Sequence, residues 1–343
     1  MDIQKGSHNF SLDVVRAIAI IAVLVCHTSI EIERMSEYQR LFFFAIGRFG
    51  VPFFFLISGY LNIREKNNSI DFLRKRANRI LIPFLLWVVL YGMYNYFNGG
   101  KFGGDLLLCS PSAHLWYIYA LMGLYLITPV LSSFFSNCSR GMFQFYLLCS
   151  AVPFFVDYYN LKFEATLIND HSIIYIFNHL AGYLFYYLLG AYCWRFKDCW
   201  LVNGYCKKNI LRTLGLFALF LMILYVGNKY FGFTPYQLTR YATPGVLVYA
   251  VACWHLLYNL KVRSRIGKKM VEEVSTTSFG VYLVHMFIVF AIIPVFIDII
   301  RRHNLIGLPV FCINCVAPFV YFSLSYIIVK LMMKIPYSKY IIG

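Results

Sequence analysis

The chain alternates between long apolar runs and short polar stretches in which basic residues cluster. A helix needs about 20 mostly apolar residues to cross a bilayer, and ten runs approach or exceed that length. Because the runs are continuously apolar, without alternating polar positions, they indicate helices and not barrel strands. The sequence therefore predicts an all-α, polytopic membrane protein with a single domain, residues 1–343. Its ten predicted transmembrane helices cover residues 12–31, 42–62, 80–97, 114–135, 142–159, 173–194, 210–231, 241–260, 277–300 and 306–333.

The composition narrows the class of protein. Of the 343 residues, 60% are hydrophobic, 19% are aromatic and only 13% are charged. Soluble domains are nearer half apolar and a quarter charged, so a soluble enzyme is excluded, and the aromatic content excludes a disordered chain. The ten cysteines lie mostly inside the apolar runs, which is typical of small buried hydrophobic residues. We therefore expect neither a disulfide framework nor a bound metal.

The charge distribution predicts an orientation. Lys and Arg outnumber Asp and Glu by 31 to 15, for a net charge of +16. The basic residues sit at the ends of the apolar runs, which is typical of polytopic membrane proteins in contact with lipid and not of a nucleic-acid-binding face. In the ten-helix scheme 21 of them fall on one side and eight on the other. The positive-inside rule then predicts that both termini are cytoplasmic.

The first predicted span carries two ionisable residues, Arg16 and His27. Such groups are costly inside a membrane and usually face a functional cavity. Eleven residues at 100° each bring both to one helix face, about 16–17 Å apart along the axis, a separation comparable to an extended pantetheine arm. A guanidinium group binds phosphate, and an imidazole can take a proton from an attacking hydroxyl. An alternative interpretation fits the same spacing: Arg16 extends to the lipid headgroups beside Asp13, and His27 only packs against a neighbouring helix.

Five further residues have the chemistry of a binding site. Arg48, in the second span, suits an anionic or sugar-phosphate acceptor, or snorkels outward. Arg76 and Arg79 stand three apart in a basic stretch, where they suit a nucleotide diphosphate or anionic lipid. His114 and Trp116, at the predicted outer surface, suit a sugar platform or an interfacial aromatic belt.

Two residues favour a packing role. His285 lies in the inner half of the ninth predicted span, where helix packing is the favoured interpretation. Gly59 permits the close approach of another helix. The sequence contains no Walker loop, GxSxG, HExxH or dinucleotide fingerprint, which argues against an ATP-driven pump and a common soluble hydrolase core.

Five segments occur in a characteristic order: LDVVRAIAIIAVLVCHTS, FGVPFFFLISGYL, RKRANRILIPFLLW, HLWYIYALMGLYLITPVL and GVYLVHMF. In these segments the chain resembles the acyltransferase-3 family of bacterial membrane O-acyltransferases, from about Leu12 to the end of the tenth span. The most specific element is an arginine followed by ten residues and a histidine, here Arg16 and His27. The cell-surface polysaccharide O-acetyltransferases, including the enterobacterial common antigen type, are the most similar subgroup. No esterase-like domain follows the tenth span, so we expect the stand-alone form.

The resemblance implies a multi-pass enzyme of the bacterial inner membrane. It would transfer an acyl group, usually from cytoplasmic acetyl-CoA, to a sugar hydroxyl of a cell-surface or lipid-linked polysaccharide such as lipopolysaccharide O-antigen. His27 would be the catalytic residue with Arg16 as its partner. Arg16, Arg76 and Arg79 would bind the acyl-CoA, and we expect Arg48, His114 and Trp116 to contact the glycan.

Several alternatives stay open at the level of sequence. No carboxylate lies within one turn of His27, and Glu31 at i+4 and Asp157 are the candidates to orient it. Direct attack and a relay through an acyl-histidine are both possible. A transporter or flippase for a lipid-linked glycan, with His27 and Arg48 as binding residues, is the main alternative, although the chain lacks matching pairs of broken helices. A protein whose buried charges only fix helix packing is the third.

Overall fold

The computed structural model describes residues 8–28, 30, 32–64, 69–99, 111–152, 173–202 and 207–343. Every regular element in these ranges is helical, which confirms the all-α prediction. The α-helices are α1 Phe10–Val25, α2 Glu37–Ile46, α3 Gly50–Asn62, α4 Ser69–Arg76, α5 Ile82–Phe97, α6 Trp116–Asn137, α7 Arg140–Cys149, α8 Ile173–Arg195, α9 Lys207–Phe231, α10 Pro235–Leu238, α11 Pro244–Tyr258, α12 Arg265–Arg302, α13 Leu308–Met332 and α14 Lys339–Ile342. Short 3-10 helices cover Ile32–Arg34 and Ala113–Leu115, and a π-helical turn covers Ala77–Leu81.

Several helices are long and apolar enough to cross a membrane. Within the described ranges, six segments meet that condition: Glu37–Asn62, Ser69–Phe97, Ala113–Asn137, Asn209–Phe231, Arg265–Arg302 and Leu308–Met332. A shorter apolar helix, α11, lies in the chain between the fourth and the fifth of these segments. The polytopic character is therefore supported, whereas the count of ten spans and the cytoplasmic termini stay predictions.

The first predicted span, 12–31, does not form one continuous helix. α1 ends at Val25, and the amide of His27 bonds to the carbonyl of Leu24 at 3.0 Å. This i→i−3 bond tightens the last turn and ends the helix. His27 therefore lies on the turn that follows α1 and not on the helix itself.

The second predicted span, 42–62, is broken between α2 and α3. Gly47, at the break, touches α1 so closely that an added Cβ would lie 2.5 Å from the carbonyl oxygen of Ala22 and 2.8 Å from Cys26 Sγ. Only a residue without a side chain fits at this contact. The break places Arg48 directly against the end of α1.

Among the helices that the structure describes, α3 and α8 share the most extensive contact. A Cβ on Gly59 would lie 1.7 Å from the carbonyl oxygen of Tyr187, and one on Gly190 would lie 1.9 Å from that of Leu56. Small residues on both helices let the two backbones touch, as in many membrane helix pairs. The predicted role of Gly59 in close helix approach is confirmed.

The third predicted span starts earlier than residue 80. α4 continues through the π turn Ala77–Leu81 into α5, in which the amide of Ile82 bonds to the carbonyl of Ala77. Pro83 follows at once and has no amide to donate. Widening the backbone just before a proline relieves the clash that its ring makes with the preceding turn. The basic stretch is thus part of one long helical segment.

α12 is the longest helix, with 38 residues. At 1.5 Å per residue it is about 57 Å long, well beyond the roughly 30 Å hydrocarbon core of a bilayer. It begins at Arg265, twelve residues before the predicted span 277–300. α12 packs against α1 and α13, and its contact with α1 positions the candidate site.

Candidate active site

A group of polar residues, named here the charged cluster, joins the start of α1 to α12. Ser275 Oγ donates to Asp13 Oδ1 at 2.6 Å, and Arg16 Nη1 donates to Ser275 Oγ at 3.1 Å. Arg16 Nη1 also lies 3.6 Å from Asp13 Oδ1, and His8 Nε2 lies 2.7 Å from Asp13 Oδ2. Asp13 is buried, whereas the side chain of Arg16 is 26% exposed. The guanidinium group therefore combines a fixed orientation with access for a ligand.

The two arginines of the basic stretch are in different environments. Arg79 is exposed and interacts electrostatically with Arg16. Arg76 Nη2 instead donates to Asn62 Oδ1 of α3 at 2.5 Å, and its guanidinium lies over two aromatic rings at 5.5 and 5.6 Å. The two arginines do not stand at the start of a helix, because Arg76 ends α4 and Arg79 lies in the π turn inside one continuous helical segment. Arg79 adds positive charge to Arg16, while Arg76 is held by α3.

The turn after α1 is fixed by a residue of α13. Asn314, fully buried, accepts a hydrogen bond from the amide of Ile30 and donates one to its carbonyl, both at 3.0 Å. One side-chain amide thus satisfies the backbone that the helix has left unpaired. The result is a defined position for His27, three residues earlier.

His27, His114 and His285 meet at this turn and form what we call the histidine cluster. The ring centroids of His27 and His285 are 5.2 Å apart, and those of His114 and His285 are 4.8 Å apart. His285 has no exposed surface and His114 is 3% exposed. The structure thus buries His114 beside two other imidazoles and not in an exposed platform at the outer surface.

Neighbouring groups hold the two buried imidazoles. Ser112 Oγ lies 2.8 Å from His114 Nδ1, and the hydroxyl of Tyr282 donates to the carbonyl of His114. His285 Nδ1 lies 2.6 Å from the carbonyl oxygen of Tyr282, and Tyr91 packs edge-on against the ring of His114 at 5.1 Å. The hydrogen bonds use the Nδ1 atom of both histidines.

The opposite nitrogens of these rings have no hydrogen-bond partner among the residues that the structure describes. His114 Nε2 and His285 Nε2 are buried without a hydrogen bond. Buried polar atoms are nearly always bonded, and the exceptions in native structures often have a catalytic role or bind a missing ligand. Two such atoms next to a third imidazole indicate a site for a polar reactant.

Arg48 and Trp116 lie on another side of His27. Arg48 interacts electrostatically with His27, its Nε donates to the carbonyl of Phe44 at 2.9 Å, and its guanidinium lies 5.4 Å from the ring of Tyr241. Trp116 stacks on the same tyrosine at 5.6 Å. The three predicted acceptor residues are therefore divided: Arg48 and Trp116 share Tyr241, while His114 belongs to the histidine cluster.

α1, together with the turn that follows it, runs parallel to α12, and both segments contribute to each cluster. Arg16 meets Ser275 in the charged cluster, and His27 meets His285 in the histidine cluster. Eleven residues on one side and ten on the other place the clusters about 15–16 Å apart along the helices. The expectation that Arg16 and His27 face the same partner agrees with this arrangement, although His27 lies beyond the end of α1.

Four residues of this region had no predicted role in the site: Ser275, Tyr282, His285 and Asn314. His285 was predicted to pack in the inner half of its span, yet its ring lies 5.2 Å from that of His27. Asn314, a polar residue in the middle of an apolar run, was the one detectable signal among the others. The proposed orienting carboxylates, Glu31 and Asp157, lie outside the described residues.

The described residues contain no group of three His, Cys, Asp or Glu side chains that could hold a metal ion. The histidine cluster is thus an arrangement of rings and not of converging ligands. Cys312 and Cys315 have the CxxC spacing on α13, and both are free thiols. The absence of a bound metal stays a prediction.

Comparison with known proteins identifies the family. A profile described as "Acyltransferase domain", of the acyltransferase-3 type, matches residues 9–330. The chain is 21% identical over 305 residues to the "Putative membrane-bound acyltransferase YfiQ" of Bacillus subtilis (strain 168), which covers 80% of this chain and 79% of that protein. It is 25% identical over 237 residues to an "Amino-acid racemase" of Enterococcus faecalis, covering 63% of this chain and 31% of the relative.

The chain thus spans less than a third of the racemase, and no solved structure matches it. The family match includes Asp13, Arg16 and Ser275 of the charged cluster and all three residues of the histidine cluster. It covers nearly the whole chain and agrees with the apolar helices that the structure shows. The protein therefore belongs to the acyltransferase-3 family and is a multi-pass membrane acyltransferase.

Proposed function

We propose that the protein is an O-acetyltransferase of the bacterial inner membrane that moves the acetyl group of acetyl-CoA to a sugar hydroxyl of a cell-surface or lipid-linked polysaccharide. One observation carries this proposal. Two parallel helices hold a partly exposed cationic group at one level and a buried group of imidazoles at another. Phosphate binding needs the first, and proton transfer from a hydroxyl needs the second.

The charged cluster is the donor end. Arg16 offers a forked guanidinium group that Ser275 holds in place, and Arg79 lies within electrostatic range of it. Asp13 offsets much of the charge of Arg16, so Arg79 supplies the net attraction for the phosphates of the donor. Arg76, which donates to Asn62 of α3, is the third arginine that we propose for donor binding. The spacing of about 15–16 Å between the clusters suits a donor with phosphates at one end and a thioester at the other.

The histidine cluster is the reaction end. His27 takes the proton from the attacking sugar hydroxyl, whose oxygen forms a bond to the thioester carbonyl carbon. The bond from that carbon to sulfur then breaks, and His27 returns the proton to the leaving thiolate. A positioned base contributes about 10²–10⁴-fold to the rate, and we favour this direct attack over an acyl-histidine relay because one residue handles both proton steps.

Arg48 and the Trp116–Tyr241 ring pair form the acceptor side. Arg48, which interacts electrostatically with His27, is placed to stabilise negative charge that develops during attack. The stacked rings of Trp116 and Tyr241 offer a flat apolar surface suited to a sugar. Both features lie next to the base and away from the charged cluster.

The test is transfer of label from [14C]acetyl-CoA to the surface glycan fraction in membrane vesicles. His27→Ala should lose about 100-fold or more of the transfer rate, since the base is removed. His303→Ala is the matched control, because His303 is an exposed histidine beyond the end of α12. At equal protein level the control should transfer label like the wild type.

Two results would contradict the proposal. Transfer that survives His27→Ala would show that the base is elsewhere. A wild type that transfers no label, in cells that lose glycan export when the gene is deleted, would favour the transporter. Label that stays on the wild-type protein and is chased into glycan would replace direct attack by the relay.

A further inference from the structure

An acid–base histidine is normally oriented by a group that binds its second ring nitrogen. Within the described residues no carboxylate contacts His27, and the ring beside it is that of His285. The two centroids are 5.2 Å apart with a 49° angle between the planes. At that separation a nitrogen of one ring can approach a nitrogen of the other.

The hydrogen bond of His285 fixes its tautomer. His285 Nδ1 lies 2.6 Å from the carbonyl oxygen of Tyr282, and a carbonyl oxygen can only accept. Nδ1 therefore carries the proton. In a neutral imidazole the other nitrogen, Nε2, then has a lone pair and no hydrogen, so His285 presents an acceptor.

The protein also holds that acceptor rigidly. The hydroxyl of Tyr282 donates to the carbonyl of His114, and the hydroxyl of Tyr91 donates to the carbonyl of Leu283 at 2.8 Å. Phe287, one turn on, stacks on Tyr91 at 4.2 Å. This part of α12 is thus hydrogen-bonded to α5 and to the 3-10 turn before α6. Because His285 is fully buried, the neighbouring side chains leave its ring no room to rotate.

We infer that His285 is the positioning residue of His27. The unpartnered Nε2 of His285 accepts the N–H of His27, which leaves the other nitrogen of His27 without a proton and directed toward the sugar hydroxyl. This inference rests on the proposed role of His27 as the base. The bond closes with substrates bound, since catalytic hydrogen bonds are often long in empty sites.

The proton balance is simple. The proton of the sugar hydroxyl moves to His27 and later to the thiolate, and His285 neither gains nor loses one. While His27 is positively charged, its N–H bond to His285 is charge-assisted and so shorter and stronger. A neutral imidazole thereby does the orienting that a carboxylate does in other enzymes, without a second fixed charge buried in the membrane.

Three substitutions separate this role from a structural one. In His285→Gln the side-chain oxygen can reach the position of Nε2, so the acceptor is kept, whereas in His285→Asn the amide reaches only the position of Nδ1. His285→Ala removes both. In proteoliposomes supplied with acetyl-CoA and extracted surface glycan, kcat should fall about 10–100-fold in the Ala and Asn variants, the usual effect of losing an orienting partner. KM for acetyl-CoA should not change, and the Gln variant should keep most of the activity.

Equal activity of the Gln and Asn variants, or an unchanged kcat in His285→Ala, would overturn the inference. A second measurement does not depend on turnover. Solid-state 15N spectra of histidine-labelled protein with CoA bound should contain the signals of a neutral imidazole protonated at Nδ1. These signals should be absent from the spectrum of His285→Gln. The spectra of the wild type should also show an N–H···N bond from His27 to this imidazole. If that bond is absent while the wild type still transfers acetyl groups, the inference about His285 is wrong and the proposed function stands. If the wild type transfers no acetyl group, the proposed function itself is wrong.

Discussion

The charged cluster and the histidine cluster lie along the same two helices, yet their polar groups differ in charge, burial and hydrogen bonding. In the charged cluster Asp13 and Arg16 are joined through Ser275, and the carboxylate is also paired with His8. In the histidine cluster two ring nitrogens have no hydrogen-bond partner among the described residues. The charged cluster is thus joined internally by an ion pair and two hydrogen bonds, whereas in the histidine cluster buried rings pack together with two nitrogens that none of these residues binds.

Burial explains the difference. Removing a full charge from water is expensive, while an imidazole can enter the protein in its neutral form. Arg16 accordingly keeps 26% of its side chain exposed and Arg79 is exposed, whereas His285 is fully buried. The comparison teaches that fixed charge suits binding at the edge of the protein, and that titratable neutral groups suit proton transfer inside it.

Among the next three substitutions, the largest change in kinetics is expected at the donor end, in the charged cluster. Arg16→Gln removes a charged donor worth about 1.5–3 kcal/mol, so KM for acetyl-CoA should rise about 10–100-fold. Asp13 keeps its hydrogen bond with Ser275 and its contact with His8, which protects the fold. Steady-state kinetics of label transfer measure this change.

Asp13→Asn is the matched control for the donor end. It keeps an acceptor for Ser275 and frees Arg16 from its ion pair, so KM should stay the same or fall. An Arg16→Gln enzyme with normal KM and a low kcat would contradict the division into a binding and a reaction end.

A smaller effect is expected where α1 meets the break between α2 and α3. Gly47→Ala forces a Cβ to within 2.5 Å of the carbonyl oxygen of Ala22, and such overpacking costs about 1–3 kcal/mol. Arg48 should move relative to His27, so kcat should fall more than the affinity for acetyl-CoA. The measurement is kinetics of label transfer together with the thermal midpoint.

Gly215→Ala provides the comparison for this steric effect. A Cβ at Gly215 meets nothing within 4 Å, and alanine favours a helix over glycine by about 0.5–1 kcal/mol. The control should therefore keep its activity and a thermal midpoint no lower than the wild type. Equal losses in the two variants would show that the contact at Gly47 does not set the position of Arg48.

The smallest effect is expected far from both clusters, at the exposed pair of Arg140 and Asp198. Arg140 Nη1 lies 2.6 Å from Asp198 Oδ2, and this hydrogen bond lowers the pKa of the Asp198 carboxyl. Any stability from the pair is therefore present at neutral pH and is lost as the pH falls through the lowered pKa. Since exposed pairs contribute little, Asp198→Asn should leave transfer unchanged and lower the thermal midpoint slightly, and only at neutral pH. A large loss of transfer would mean that this surface is coupled to the site.

The helical class was predictable, and Arg16 and His27 could be chosen as candidate residues, because apolar run length and ionisable residues within an apolar run are local signals. The pairing of His27 with His285 was not. Single-sequence hydropathy starts the ninth span at residue 277, while the helix starts at Arg265. Hydropathy along one segment gives no register between this helix and α1, so it could not bring the ring of His285 to within 5.2 Å of that of His27.

The positions of the helix breaks could not be predicted from the sequence either, and the reason is physical. The glycine at position 47 and the proline at position 83 are visible signals, but what each does depends on its neighbours. Gly47 accommodates the backbone of α1, and Pro83 follows a π turn that separates Arg76 from Arg79. Contacts between distant segments decide such details, and periodicity along one segment cannot reveal them.

The central claim is that one end of the α1–α12 pair binds the donor and the other end moves the proton. Calorimetric titration of CoA into purified wild type, His27→Ala and Arg16→Gln tests this claim most directly, because it requires no acceptor. The account predicts that His27→Ala binds CoA like the wild type although it is inactive, and that Arg16→Gln binds about 10–100-fold more weakly. Loss of CoA binding in His27→Ala, with normal binding in Arg16→Gln, would contradict it.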